Sequence, residues 1–121
     1  MKTIMVVDDQ PNIRQLVEIA LKKDGRRILA VESGERAIEV ALSESPDLII
    51  MDVMMPGGMD GFQTIEILRS NPVTCACPVL VLTAKSQESE KRRSEEVGAE
   101  GYMAKPFRLT ALVEHVERLL N

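Results

Sequence analysis

Along the chain, short runs of apolar and β-branched residues alternate with longer stretches in which apolar residues return every three or four positions. The short runs fall at residues 3–7, 27–31, 48–51, 79–82 and 101–104. Two of them, Leu48-Ile49-Ile50-Met51 and Val79-Leu80-Val81-Leu82, are apolar at every position, the pattern of strands covered on both faces. In the first long stretch, Ile13, Leu16, Val17, Ala20 and Leu21 share one helix face, with Pro11 suited to an early helical position and Gly25 to the C-terminal stop. Ala37, Ile38, Ala41 and Leu42 mark a second helix behind Ser33 as its cap, and a third runs from about residue 61 to 69 and ends before Asn71-Pro72. Leu109, Leu112, Val113, Val116, Leu119 and Leu120 give the fifth helix the clearest stripe. The fourth, at about residues 86–97, is different: from Gln87 to Glu96 it has no aliphatic side chain, so weak anchoring is expected. Five strand–helix units of this kind predict an α/β fold in which a parallel sheet is covered by helices.

A chain of 121 residues, 45% hydrophobic and 28% charged, can bury one continuous core, so a single domain over residues 1–121 that folds unaided is expected. No repeat, low-complexity segment or linker interrupts it. The net charge of -4 argues against direct binding to nucleic acid, which needs clustered cations to displace counterions. The one basic run, Lys91-Arg92-Arg93, is flanked by Glu88, Glu90, Glu95 and Glu96 and reads as a solvated helix face. The apolar run at residues 1–7 meets Asp8 and Asp9 at once. It is too short for a signal-peptide core or a bilayer span, so a cytoplasmic protein without membrane contact is expected. Cys75 and Cys77 stand one residue apart with no partner cluster to complete a zinc site, and read as reduced thiols. His115, the only histidine, reads as a structural or exposed helix residue.

The chemistry gathers at the strand ends. In an open parallel sheet, ligands bind outside the carboxyl ends of the strands, and there stand Asp8 and Asp9 after the first run, Asp52 after the third, Thr83 after the fourth and Lys105 after the fifth. One such aspartate alone reads as a turn or helix-capping residue. Three carboxylates on one rim repel each other, and a hard divalent cation relieves that repulsion; Mg²⁺ commonly joins carboxylates to phosphate oxygens. The set holds what phosphoryl transfer to a side chain requires: a carboxylate nucleophile already ionised at neutral pH, a metal site, a hydroxyl donor and a fixed cation.

Four segments then become specific. Ile4-Met5-Val6-Val7-Asp8-Asp9, Met51-Asp52-Val53-Met54-Met55-Pro56, Val81-Leu82-Thr83-Ala84-Lys85 and Tyr102-Met103-Ala104-Lys105-Pro106 resemble, in order and across essentially the whole chain, the signature segments of response-regulator receiver domains. The resemblance implies a flavodoxin-like (βα)5 doubly wound sandwich with strand order 2-1-3-4-5. It implies Asp52 as the phosphoacceptor and Mg²⁺ bound directly by Asp9, mainly through water by Asp8, and by Asp52 and the backbone carbonyl of Met54. Thr83 would donate its hydroxyl to the phosphoryl group and Lys105 would pair with another of its oxygens, after a cis Lys105–Pro106 bond. Tyr102 would swing inward as Thr83 moves, switching the surface of helix four, strand five and helix five; the plainer reading of Tyr102 is a half-buried strand aromatic.

The implied partners are a sensor histidine kinase or histidine phosphotransfer protein upstream and a partner protein or effector domain downstream. Such a chain is not an enzyme, although it assists its own phosphorylation and dephosphorylation. No effector sequence follows Asn121, which leaves open a stand-alone regulator or a receiver cut from a longer protein. Two features depart from the family. Gly57-Gly58 makes the loop between Met55-Pro56 and Met59-Asp60-Gly61 one residue longer than usual, and Ser94 and Glu95 replace the alanine or leucine that commonly anchors the fourth helix. Other readings fit less well. A haloacid-dehalogenase-type phosphatase needs a second aspartate where Met54 stands. A flavin site needs a Ser/Thr/Gly-rich loop where Asp8-Asp9-Gln10-Pro11 stands. A receiver-shaped module that is never phosphorylated has no need of the intact acidic set.

Overall fold

In the computed structural model, which describes residues 1–55, 57–84 and 88–121, strands and helices alternate without exception. They are β1 (Lys2–Val7), α1 (Pro11–Leu21), β2 (Arg26–Val31), α2 (Gly34–Glu44), β3 (Leu48–Asp52), α3 (Gly61–Ser70), β4 (Val79–Thr83), α4 (Glu88–Glu96), β5 (Gly101–Ala104) and α5 (Leu109–Leu120). The strands form one sheet in the order β2-β1-β3-β4-β5, with every neighbouring pair parallel. This is the predicted 2-1-3-4-5 doubly wound architecture.

Because successive strand residues point to opposite faces, the apolar runs supply two cores at once. Ile4, Val6, Leu48, Ile50, Leu80 and Leu82 pack against Val17 and Leu21 of α1 and Leu112 and Val116 of α5. Met5, Val7, Ile49, Met51, Val79 and Val81 pack against Ala37 and Ala41 of α2, Phe62, Ile65 and Leu68 of α3, and Val97. Every residue of β3 and β4 is buried, which is why these two runs show no polar alternation.

Local chemistry sets the helix ends. Ser33 caps α2 by accepting from the Arg36 N–H, and Asp60 caps α3 in a reciprocal box with Gln63. The expected role of Gly25 as the stop of α1 is corrected: the helix ends at Leu21 with Lys22 already extended. Gly25 instead takes φ +78° in the turn before β2, where its carbonyl accepts from the Lys2 N–H at 3.0 Å. A turn in the left-handed region needs glycine as much as a helix stop does, so the residue was legible and its place was not. The strands also run further than their apolar runs. Asp52 pairs with Leu82 and Thr83 with Ala104 in the parallel ladder, so both polar residues are held by the sheet itself.

The fourth helix carries little apolar surface inward, as expected: Ser94 is its one buried residue, with the Oγ donating to the Lys91 carbonyl at 2.7 Å. A tether unseen in the pattern is Arg93, which lies 5.5 Å over the Phe62 ring and pairs with Glu66 of α3 at 2.7 Å. The expected helix start at Ser86 and Gln87, and Pro56 and Lys85 of the signature segments, lie outside the described residues. Among those described, no helix is long and apolar enough to cross a membrane.

Candidate functional site

The carboxyl ends of β1, β3, β4 and β5 bring the sequence-predicted residues to one rim. Oxygen atoms of Asp8, Asp9 and Asp52 lie within 4.8 Å of one another. Asp8 and Asp52 are buried, and Asp9 is the most exposed of the three. The Lys105 ammonium stands 3.0 Å from Asp8 Oδ2 and 3.5 Å from Asp52 Oδ1. Its backbone N–H donates to the Thr83 carbonyl at 2.7 Å, so β4 and the segment after β5 are tied beside the acidic cluster. The Lys105–Pro106 bond is cis, as the resemblance implies.

Two of the three acidic side chains, those of Asp8 and Asp52, are held by their own loops. Asp8 Oδ1 accepts from the Gln10 N–H at 2.9 Å, and Asp52 Oδ1 from the Met54 N–H at 3.1 Å. Met54 itself is exposed in the loop after β3. Burial above all, and then the neighbouring Asp8 carboxylate, push the Asp52 carboxyl up to about 6, against the opposing pull of the Met54 N–H and Lys105. Among the described residues, the one ammonium paired with this cluster cannot balance three carboxylates. The donor set is all oxygen, close enough to share one ion, and short of positive charge, which fits a hard divalent cation such as Mg²⁺.

Thr83 is fully buried at the end of β4. Tyr102 is partly buried and packs against the core on the α2 and α3 face. Its phenol is pushed up by burial and by Glu90 and Glu88, so the start of α4 acts electrically on this ring. Two residues of the site escaped the sequence reading. Gly61 lets α3 begin directly on the acidic loop: a Cβ there would stand 2.6 Å from both the Asp52 carbonyl oxygen and Val53 Cα. The Asp60-Gly61 dipeptide was a visible signal for a tight approach. Arg14 is the second, donating from Nη1 to the Asp8 carbonyl at 2.6 Å, and nothing in apolar periodicity marks it.

The two thiols are free, in line with their reading as reduced, and burial pushes the Cys77 thiol up to about 11. Of the basic run, Lys91, Arg92 and Arg93 are all exposed. His115 is half-buried beside Arg118, 2.8 Å from its guanidinium.

Residues 4–117 match the family model of the response regulator receiver domain. The phosphate regulon transcriptional regulatory protein PhoB of Pseudomonas aeruginosa is 37% identical over 99% of this chain, which spans 52% of that protein. Protein PilH of the same organism is 34% identical over 99% of this chain and 98% of its own length. The chain thus spans about half of some curated relatives and nearly all of another. Among solved structures, the chemotaxis protein CheY4 of Vibrio cholerae superimposes with a TM-score of 0.92 at 32% identity, covering 99% of each chain. A family match over nearly the full length, on a sheet wound in the same order, makes this chain a member of the response regulator receiver domain family, a signalling domain of two-component systems.

Proposed function

We propose that Asp52 accepts a phosphoryl group from a phosphohistidine of a sensor histidine kinase or a histidine phosphotransfer protein, in a Mg²⁺-dependent reaction in the cytoplasm. The observation that carries this reading is the convergence of Asp8, Asp9 and Asp52 within 4.8 Å beside Lys105, the one cation paired with Asp8 and Asp52 among the described residues. Asp9 would hold the ion directly and Asp8 mainly through water, with Asp52 and the Met54 carbonyl completing the protein ligands. When bound, Mg²⁺ supplies positive charge to the acidic cluster and to the phosphoryl oxygens.

The chain's own groups do the rest. An Asp52 carboxylate oxygen attacks phosphorus while the phosphorus–nitrogen bond of the donor breaks, and the departing imidazole takes up a proton from solvent. The Lys105 ammonium meets charge on one phosphoryl oxygen and the Thr83 hydroxyl donates to another. Sheet pairing fixes Asp52 and the backbone of Thr83 beforehand, so little reorganisation is needed there. Movement at Thr83 would then draw Tyr102 inward and alter the surface of α4, β5 and α5, where a downstream partner or effector domain binds.

Incubation with a small phosphodonor and Mg²⁺ should add one phosphoryl group, read by intact mass, and the Asp52→Asn variant should gain none. Uptake by Asp52→Asn at the normal rate would refute the assignment.

A further inference from the structure

The peptide that joins Asp8 to Asp9 is held by a side chain with no place in the reaction just described. β1 ends at Val7, and the Asp8 N–H donates to the Val31 carbonyl at 3.2 Å, but the Asp8 carbonyl has left the ladder. The next helix gives it nothing: α1 opens with Pro11, which has no N–H, behind Gln10, which makes no side-chain capping bond. Among the described residues the donor to this carbonyl is Arg14, the fourth residue of α1, whose Nη1 stands 2.6 Å away. A charge-assisted bond of this length from a half-buried guanidinium is at the strong end for the type.

The carbonyl belongs to the planar unit that links both acidic residues, so holding it sets the direction of one relative to the other. The Asp8 carboxylate has its own supports in the Gln10 N–H and Lys105. The Asp9 carboxylate receives no hydrogen bond from the described residues, and its aim depends on the peptide that carries it.

We propose that Arg14 is a positioning residue of the divalent-cation site, locking the Asp8–Asp9 peptide so that Asp9 points at the ion. This rests on the reading of the rim as a Mg²⁺ site. Arg14 acts through backbone geometry, not through its field on the nucleophile: the charged groups that shift the Asp52 carboxyl are Asp8 and Lys105.

The test is a Mg²⁺ titration followed by the amide signals of residues 8–10 and 52 in the wild type, Arg14→Met and Arg14→Lys. Removing the donor that holds this peptide should weaken Mg²⁺ binding in Arg14→Met about tenfold, equivalent to about 1.4 kcal/mol, while the metal-free protein stays folded and its melting temperature falls by only a few degrees, the cost of one hydrogen bond. Phosphorylation should return to the wild-type rate at saturating Mg²⁺, and Arg14→Lys, which keeps a donor, should recover most of the affinity. Wild-type affinity in Arg14→Met would overturn the inference alone, whereas a wild type that binds no Mg²⁺ would overturn the site reading and this inference with it. In the unmutated protein, the Arg14 guanidinium N–H signals should be slowed in exchange and shift as Mg²⁺ is added. Freely averaging signals indifferent to Mg²⁺ would also overturn it.

Discussion

At the scale of single residues, the burial of Asp52 comes at a cost to the fold. Its folded carboxyl is raised from the ordinary 3.8 to about 6, so the folded state binds a proton more tightly than the unfolded chain. The contribution is therefore unfavourable above about pH 6, relieved as pH falls through the folded value, and fully relieved only below the unfolded value. Asp52→Asn should stabilise the metal-free protein at pH 7–8 by about 1–2 kcal/mol, after discounting for screening at an open rim. The gain should shrink toward pH 4; urea unfolding at both pH values reads it, and an Asp52→Asn protein no more stable at pH 8 than at pH 4, relative to wild type, would contradict the burial argument. A second residue-scale prediction concerns Gly61, where a Cβ meets two backbone atoms at 2.6 Å that cannot swing aside. Gly61→Ala should cost about 1–3 kcal/mol and broaden the amide signals of Val53 and Met54. An unchanged melting temperature would show that the loop yields.

Among the elements, α4 and α5 form the sharpest contrast. α5 buries Leu112 and Val116, each worth about 1.5–3 kcal/mol, while α4 buries Ser94 and is tethered to α3 by Arg93. An exposed ion pair and a cation over a ring each contribute about 0.5–1 kcal/mol, which lightly fixes a helix but does not make it part of the core. Amides from Glu88 to Glu96 should therefore exchange faster than those of α5 and slow on phosphorylation. Arg93→Ala should speed α4 exchange further while moving global stability by only about 1 kcal/mol. Equal protection of the two helices would sink this view. The apolar pattern exposed the weakness of α4, but not its tether, because Phe62, Glu66 and Arg93 belong to helices 27 residues apart in the Arg93–Glu66 pair.

At the scale of the whole molecule, one sheet serves both cores, so neither face can melt without exposing strands that the other face also covers. Ile65→Ala on one face and Leu112→Ala on the other, both at fully buried positions, should each cost about 2–5 kcal/mol. Each should lower a single unfolding transition common to circular dichroism and tyrosine fluorescence, the outcome expected if residues 1–121 form one domain. Two separate transitions in either variant would argue for independent units.

The sequence by itself determined the element order, the two fully buried strands and the placing of Asp8, Asp9, Asp52, Thr83 and Lys105 at strand ends, because these follow from residue-by-residue periodicity and turn chemistry. Strand order was not contained in that periodicity; only likeness to a known family supplied it. Tertiary structure alone decided that Gly25 turns into β2, that Gly61 lies against Asp52, that Arg93 rests on Phe62 and that Arg14 reaches back to Asp8. Each of these depends on distances between segments, and a pattern of apolar positions says which face is buried without saying which polar group lies next to it.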